Sequence, residues 1–75
     1  MSRGEINKLY ITDPVTVVGL TDSAAKVMLD NEEPVWIPFS LIVEPEEQEV
    51  RDMLNDPDGL EITIPEWLAR EKGLF

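Results

Sequence analysis

Seventy-five residues with 16 acids, six bases, no Cys and no His leave room for one small domain with a thin core, because a chain of this size buries only about 60% of its unfolded surface. Without thiol or imidazole there can be no disulfide, no Cys/His zinc site, no thiolate or imidazole catalysis and no Ser-His-Asp triad. The net charge of −10 repels nucleic-acid backbones and anionic membranes and favours basic partners, while a hydrophobic content of 43% is too high for a disordered chain.

No apolar run follows Met1-Ser2-Arg3-Gly4-Glu5, so no secretory signal is expected. The longest uncharged stretch, Pro34 to Val43, falls far short of the roughly 20 apolar residues of a membrane helix. A cytoplasmic protein is the resulting expectation.

The elements follow in chain order. Lys8 to Ile11 is a β-prone run that Asp13-Pro14 ends. Pro14 to Leu20 reads as a strand rich in β-branched residues, with Val15, Val17 and Gly19 on one face and Thr16, Val18 and Leu20 on the other. Gly19 marks a bulge or bend. After the turn Thr21-Asp22-Ser23, Ala25 to Asp30 alternates as the next strand. Asp30 to Glu33 forms a polar hairpin tip, and Val35, Ile37 and Phe39 then alternate with Trp36 and Pro38. Pro38 predicts a departure from the sheet through a tight turn before Leu41.

Pro45 to Leu54 reads as a helix, with Pro45 at its first position, Glu46 and Glu47 in its first turn and Val50, Met53 and Leu54 as its apolar face. Asp56-Pro57-Asp58-Gly59 has the residues of a type I turn. Leu60 to Ile64 reads as a strand with Leu60, Ile62 and Ile64 on one face. Pro65 opens a short helix, Glu66 to Lys72, with a Glu66–Arg70 pair and Gly73 as its C-terminal cap. About five short strands with one or two short helices predict a mainly β (α+β) domain, an SH3-like partly open β-barrel, with a sheet covered by one helix as the alternative. The whole chain, 1–75, is expected to be one small domain with an acidic helical or loop insertion at about 44–59.

The charge is concentrated. Residues 1–13 and 62–75 are each neutral, 14–43 carry −3, and 44–61 carry −7. On a helix the acids Glu46, Glu47, Glu49 and Asp52 would rise along one side, extended by Glu44, Asp56 and Asp58. Ordered carboxylates of this kind imitate phosphate spacing and can occupy a basic nucleic-acid channel; a solvated helix that keeps a small protein soluble is the competing explanation.

Val35-Trp36-Ile37-Pro38, followed later by Ile62-Thr63-Ile64-Pro65-Glu66-Trp67-Leu68-Ala69 and Lys72-Gly73-Leu74, resembles small uncharacterised phage and prophage proteins, in which such a hairpin precedes a strand and a C-terminal helix. The resemblance covers residues 14–43 and 60–75, and the acidic stretch between them stands out as an elaboration. It implies a phage accessory protein and supplies no catalytic residue.

Other chemistry is weakly indicated. Asp56, Asp58 and Glu61 lack the ligand spacing of a calcium loop, since Gly59 directly follows Asp58. An acid/base carboxylate pair needs an apolar cleft that a 75-residue domain rarely offers. No catalytic residue, metal or cofactor is therefore expected. Trp67 is expected to pack on the end of the barrel. Trp36 lies on the face opposite Val35 and Ile37 and can serve either as core or as an exposed contact; nucleic-acid stacking would need a basic groove that six scattered bases cannot build. The expected partner is a basic host protein or nucleoprotein complex, met by Glu44, Glu46, Glu47, Glu49, Asp52, Asp56, Asp58 and Trp36, with no direct nucleic-acid or membrane binding and the protein itself a monomer or small homo-oligomer. The alternative is an adaptor module that joins a phage or replication complex through the Val35–Phe39 hairpin.

Overall fold

Alternating β-branched residues build two antiparallel sheets. The computed structural model describes residues 8–29 and 32–74; Asp30 and Asn31 of the expected hairpin tip, and Arg3 and Glu5 of the neutral N-terminal segment, lie outside them. Strand β1 (Leu9–Ile11) pairs with β5 (Thr63–Pro65), and β2 (Thr16–Leu20), β3 (Ala24–Met28) and β4 (Val35–Pro38) form a second sheet in the order β2-β3-β4. Helix α1 (Glu47–Asp52) precedes β5 and helix α2 (Glu66–Glu71) follows it. The described residues thus form a small α+β fold of five short strands and two short helices, and the strands do not close into a single barrel.

One length of chain serves both sheets. Thr12 donates its N–H to the Ile62 carbonyl (2.9 Å) and its buried hydroxyl accepts the Ile62 N–H (3.2 Å). Beyond the Asp13-Pro14 corner, Val15 and Leu60 exchange both backbone hydrogen bonds, at 3.0 and 2.8 Å. The expected strand at Leu60–Ile64 is consequently split: Leu60 makes an isolated bridge to Val15, Ile62 bonds Thr12, and the ladder proper spans Thr63–Pro65. Pro65, expected to open the helix, ends the strand and caps α2 with extended backbone angles.

Inward positions from both sheets and both helices meet in one core: Val15, Val17, Ala25, Val27, Ile37, Val50, Ile62, Ile64, Leu68 and Ala69 are all buried. The expected bulge sits between Val17 and Gly19, so Val18 is the extra residue. It reverses the alternation beyond it. Gly19 lies opposite Lys26 on the outer face and Leu20 packs toward the core, the opposite of what a regular two-residue period from Val15 predicts. After Pro38 the chain leaves the sheet in a 3-10 turn, Phe39–Leu41.

Helix α1 is shorter than its sequence suggests. Val43 N–H and Glu44 C=O bond the Thr63 backbone at 2.8 Å each, which holds the chain extended through Glu44 and defers the helix to Glu47, with Glu46 as its N-cap and Pro45 outside it. The helix ends at Asp52 because the chain turns back to β2. Asn55, at φ 62°, donates to the Val17 carbonyl at 2.7 Å. Leu54 is therefore drawn off the expected apolar face and is exposed, leaving Val50 as the buried anchor with Met53 beside it.

At the other end, Gly73 (φ 72°) closes α2 in a Schellman arrangement: its N–H reaches the Arg70 carbonyl at 3.2 Å, and the Leu74 N–H reaches that of Ala69 at 2.8 Å. This folds Leu74 into the core, and its carbonyl accepts a 3.4 Å hydrogen bond from the Tyr10 hydroxyl.

Two stability tests follow from this packing. Ile64→Ala, at a fully buried position, is expected to cost about 2–5 kcal/mol, most of the stability of so small a domain, in a thermal or urea melt. Gly59 and Gly73 both have positive φ, but a Cβ at Gly59 would also lie 3.1 Å from the Pro14 Cβ, whereas nothing stands within 4 Å at Gly73. Gly73→Ala should cost about 1–2 kcal/mol from backbone conformation alone, and Gly59→Ala distinctly more in the same melt.

Candidate functional site

The acidic segment lies across the junction of the two sheets, and the fold divides its carboxylates. Successive helical residues are rotated by about 100°, so Glu47 and Glu49 stand about 200° apart. Glu47 lines a groove of about 450 Å³ with Asp22, Ser23, Pro38 and Phe39. Glu49 lines the opposite side, with Glu44, Pro45 and Glu46 in one groove and with Ile11, Leu60, Glu61 and Thr63 in the next. Glu47 therefore leaves the side expected of it, while Glu46, Glu49 and Asp52, each three residues from the next, keep to one side of a short helix whose inward side, Val50, is buried.

Several of these acids already have partners. Arg51 donates from Nε to Glu47 Oε2 at 2.8 Å and sends Nη2 to the carbonyls of Thr21 (2.9 Å) and Asp22 (3.2 Å). Its guanidinium also lies 4.7 Å from the centre of the Phe39 ring. This is the one base in the acidic stretch, and it acts as a clamp that seats α1 on the β2–β3 turn. Asp52 Oδ1 accepts from Gln48 Nε2 at 2.9 Å. Asp56 Oδ1 accepts the Asp58 N–H at 2.9 Å, and the Asp56 carbonyl accepts the Gly59 N–H at 3.3 Å, so Asp56 is chiefly the builder of the expected turn. Glu44, Glu46, Glu49 and Asp58 remain exposed. Glu61, which the sequence suggests only as a poorly spaced metal ligand, joins Glu44 and Glu49 around one groove. Its signal was parity: the residue before the inward Ile62 must face out. Among the described residues no group of three or more acids is arranged to hold a metal ion.

The tryptophans stand apart from these grooves. Trp36 lies opposite Lys26 on the outer face of the second sheet and is 43% exposed, with the Lys26 ammonium 5.8 Å from its ring centre. Gly19, across from Lys26, leaves room for this pair: a Cβ there would meet the Lys26 stem at 3.3 Å and the Trp36 ring at 3.8 Å. Trp67, expected to pack on the end of the barrel, is only half-buried. Leu68 and Ala69 occupy the inward side of α2, and Trp67, one residue earlier and about 100° around, is 46% exposed.

No family model, curated protein or solved structure matches the chain.

The arrangement offers an open acidic surface on one side and a half-exposed aromatic face on another, with shallow grooves between elements. The Arg51 clamp gives a direct test. Arg51→Ala removes two carbonyl contacts, one ion pair and one ring contact and is expected to cost about 2 kcal/mol. Glu47→Gln, which loses a largely exposed ion pair, should cost below about 1 kcal/mol in the same urea titration.

Proposed function

We propose that this is a non-enzymatic, phage-type accessory protein of the host cytoplasm that docks on a basic host protein or nucleoprotein complex and blocks its nucleic-acid site, as an anti-CRISPR-like inhibitor or DNA mimic does. The observation that carries the reading is the disposition of charge between residues 44 and 61. Its one base, Arg51, is turned inward onto Glu47 and two backbone carbonyls, while Glu44, Glu46, Glu49 and Asp58 stay in solvent. An outward field of one sign steers association with a basic surface. The resemblance of the Val35–Pro38 and Ile62–Leu74 segments to small phage proteins supports the same reading, and the two sheets joined at Val15–Leu60 suit the SH3-like partly open barrel that we propose for the fold. The protein acts as a monomer or small homo-oligomer, without binding nucleic acid or membrane directly.

The adaptor reading has an observation of its own, the half-exposed Trp36 with Lys26 against its ring. Pull-down from host lysate at low salt, followed by binding measurements on the recovered protein, separates the two. Under the mimic reading, a Glu46→Gln, Glu47→Gln, Glu49→Gln, Asp52→Asn variant stays folded and binds about 30-fold more weakly, four charge contacts at roughly 0.5 kcal/mol each. Binding also falls steeply as salt rises, because screening acts over about 8–10 Å at physiological strength. Normal binding by that variant together with loss on Trp36→Ala would instead establish the adaptor.

A further inference from the structure

Among the described residues the outer edge of β1 is unpaired. Glu66 N–H bonds the Lys8 carbonyl and Thr12 N–H bonds the Ile62 carbonyl, both at 2.9 Å, with Tyr10 paired to Ile64 between them. Residues 8, 10 and 12 thus turn their main-chain groups toward β5, and antiparallel geometry turns those of Leu9 and Ile11 the other way. Pro65 opposite Leu9 agrees with this, since it has no N–H to give at that position. On its far side β1 pairs with no other strand among the described residues. The side chains of Leu9 and Ile11 are 53% and 63% exposed, and among the described residues no bulge interrupts β1 and no strand covers this edge.

An unpaired edge flanked by exposed apolar side chains is a template for an added strand. The local charge selects the occupant. Ile11 lines a groove with Glu44, Glu49 and Glu61, and no Lys or Arg lines it. A second copy pairing through its own β1 would bring a neutral segment and a molecule of overall charge −10, whereas a segment carrying Lys or Arg would neutralise the groove. We propose that β1 takes up an extended, Lys- or Arg-bearing segment of a partner protein as an added strand, bonded to the main chain of Leu9 and Ile11, with its apolar side chains over theirs and its basic side chains drawn by the field of Glu44, Glu49 and Glu61 from across β5. This deepens the docking reading above and rests on it for the partner's positive charge.

The probe is a fluorescent peptide, Lys-Thr-Val-Thr-Val-Thr-Lys, titrated by anisotropy beside a control with Glu in place of both Lys. The wild-type chain should bind the first saturably and the control at least tenfold more weakly. Ile11→Pro deletes the outward N–H without touching the β5 ladder and should weaken binding at least tenfold with the melt nearly unchanged. If that variant is misfolded, Leu9→Lys with Ile11→Lys, which keeps the N–H groups but places like charge against the peptide, should give the same loss. No binding to the wild type, or undiminished binding to the folded edge variant, overturns strand addition. So does sedimentation showing a wild-type dimer that Ile11→Pro dissociates, which would make a second copy the occupant. Should Ile11→Pro retain the lysate partner while the Glu46, Glu47, Glu49 and Asp52 quadruple variant loses it, the edge proposal alone falls; if neither change affects that partner, the docking reading falls with it.

Discussion

The fold depends on the exchange of backbone hydrogen bonds at the Asp13-Pro14 corner. Leu9 to Leu20 begins in one sheet and ends in the other, and residues 60–62 follow it around the bend through Thr12 and Val15. A core this thin cannot be assembled from either sheet alone: the three-stranded sheet contributes Val17, Ala25, Val27 and Ile37, and the two-stranded ribbon contributes Ile64. Thr12 is the telling residue. It is a buried polar side chain, tolerated because its hydroxyl satisfies the Ile62 N–H where the register slips between the Thr12–Ile62 contact and the Val15–Leu60 bridge.

The same economy governs the charges. Sixteen acids cannot enter a core that small without severe desolvation, and those among the described residues lie in turns, on the faces of short helices and along groove rims. Arg51 is the one base among the acids of residues 44–61. By bonding Glu47 and the Thr21 and Asp22 carbonyls it ties the most acidic helix to the neighbouring turn. The surface that results is acidic because eight acids stand against one base between residues 44 and 61, and the engagement of that base with Glu47 and the β2–β3 turn links the packing of α1 to the field that a partner would meet.

Most strand positions were legible from alternation alone. Ile62 and Ile64 face inward as their spacing requires, the Asp56–Gly59 turn carries its own hydrogen bonds, and Gly73 has the conformation expected of a helix cap. What escaped the sequence was long-range. Helix α1 starts late because Thr63 holds Val43 and Glu44, and ends early because Val17 holds Asn55; neither partner lies within a local window. A bulge or bend was expected at Gly19 and falls at Val18 beside it, and its consequence, the reversed facing of Gly19 and Leu20, depends on the register with Lys26 and Ala25. The acidic site was legible as a composition but not as a geometry. Glu46, Glu47, Glu49 and Asp52 were visible as a run, whereas the separation of Glu47 from Glu46 and Glu49 into different grooves follows from which side of a six-residue helix Val50 buries. For Arg51, the i, i+4 spacing from Glu47 was the available signal.

The outward placement of both indoles has an optical consequence. Trp36 and Trp67 are each close to half exposed, so the emission of the native chain already comes from partly hydrated rings, and unfolding moves it little. A partner that covers the outer face of the second sheet would dehydrate Trp36 and displace the Lys26 ammonium from its ring, shifting that emission to the blue. Intrinsic fluorescence in this protein is thus a reporter of what lies on its surface more than of whether its core is intact.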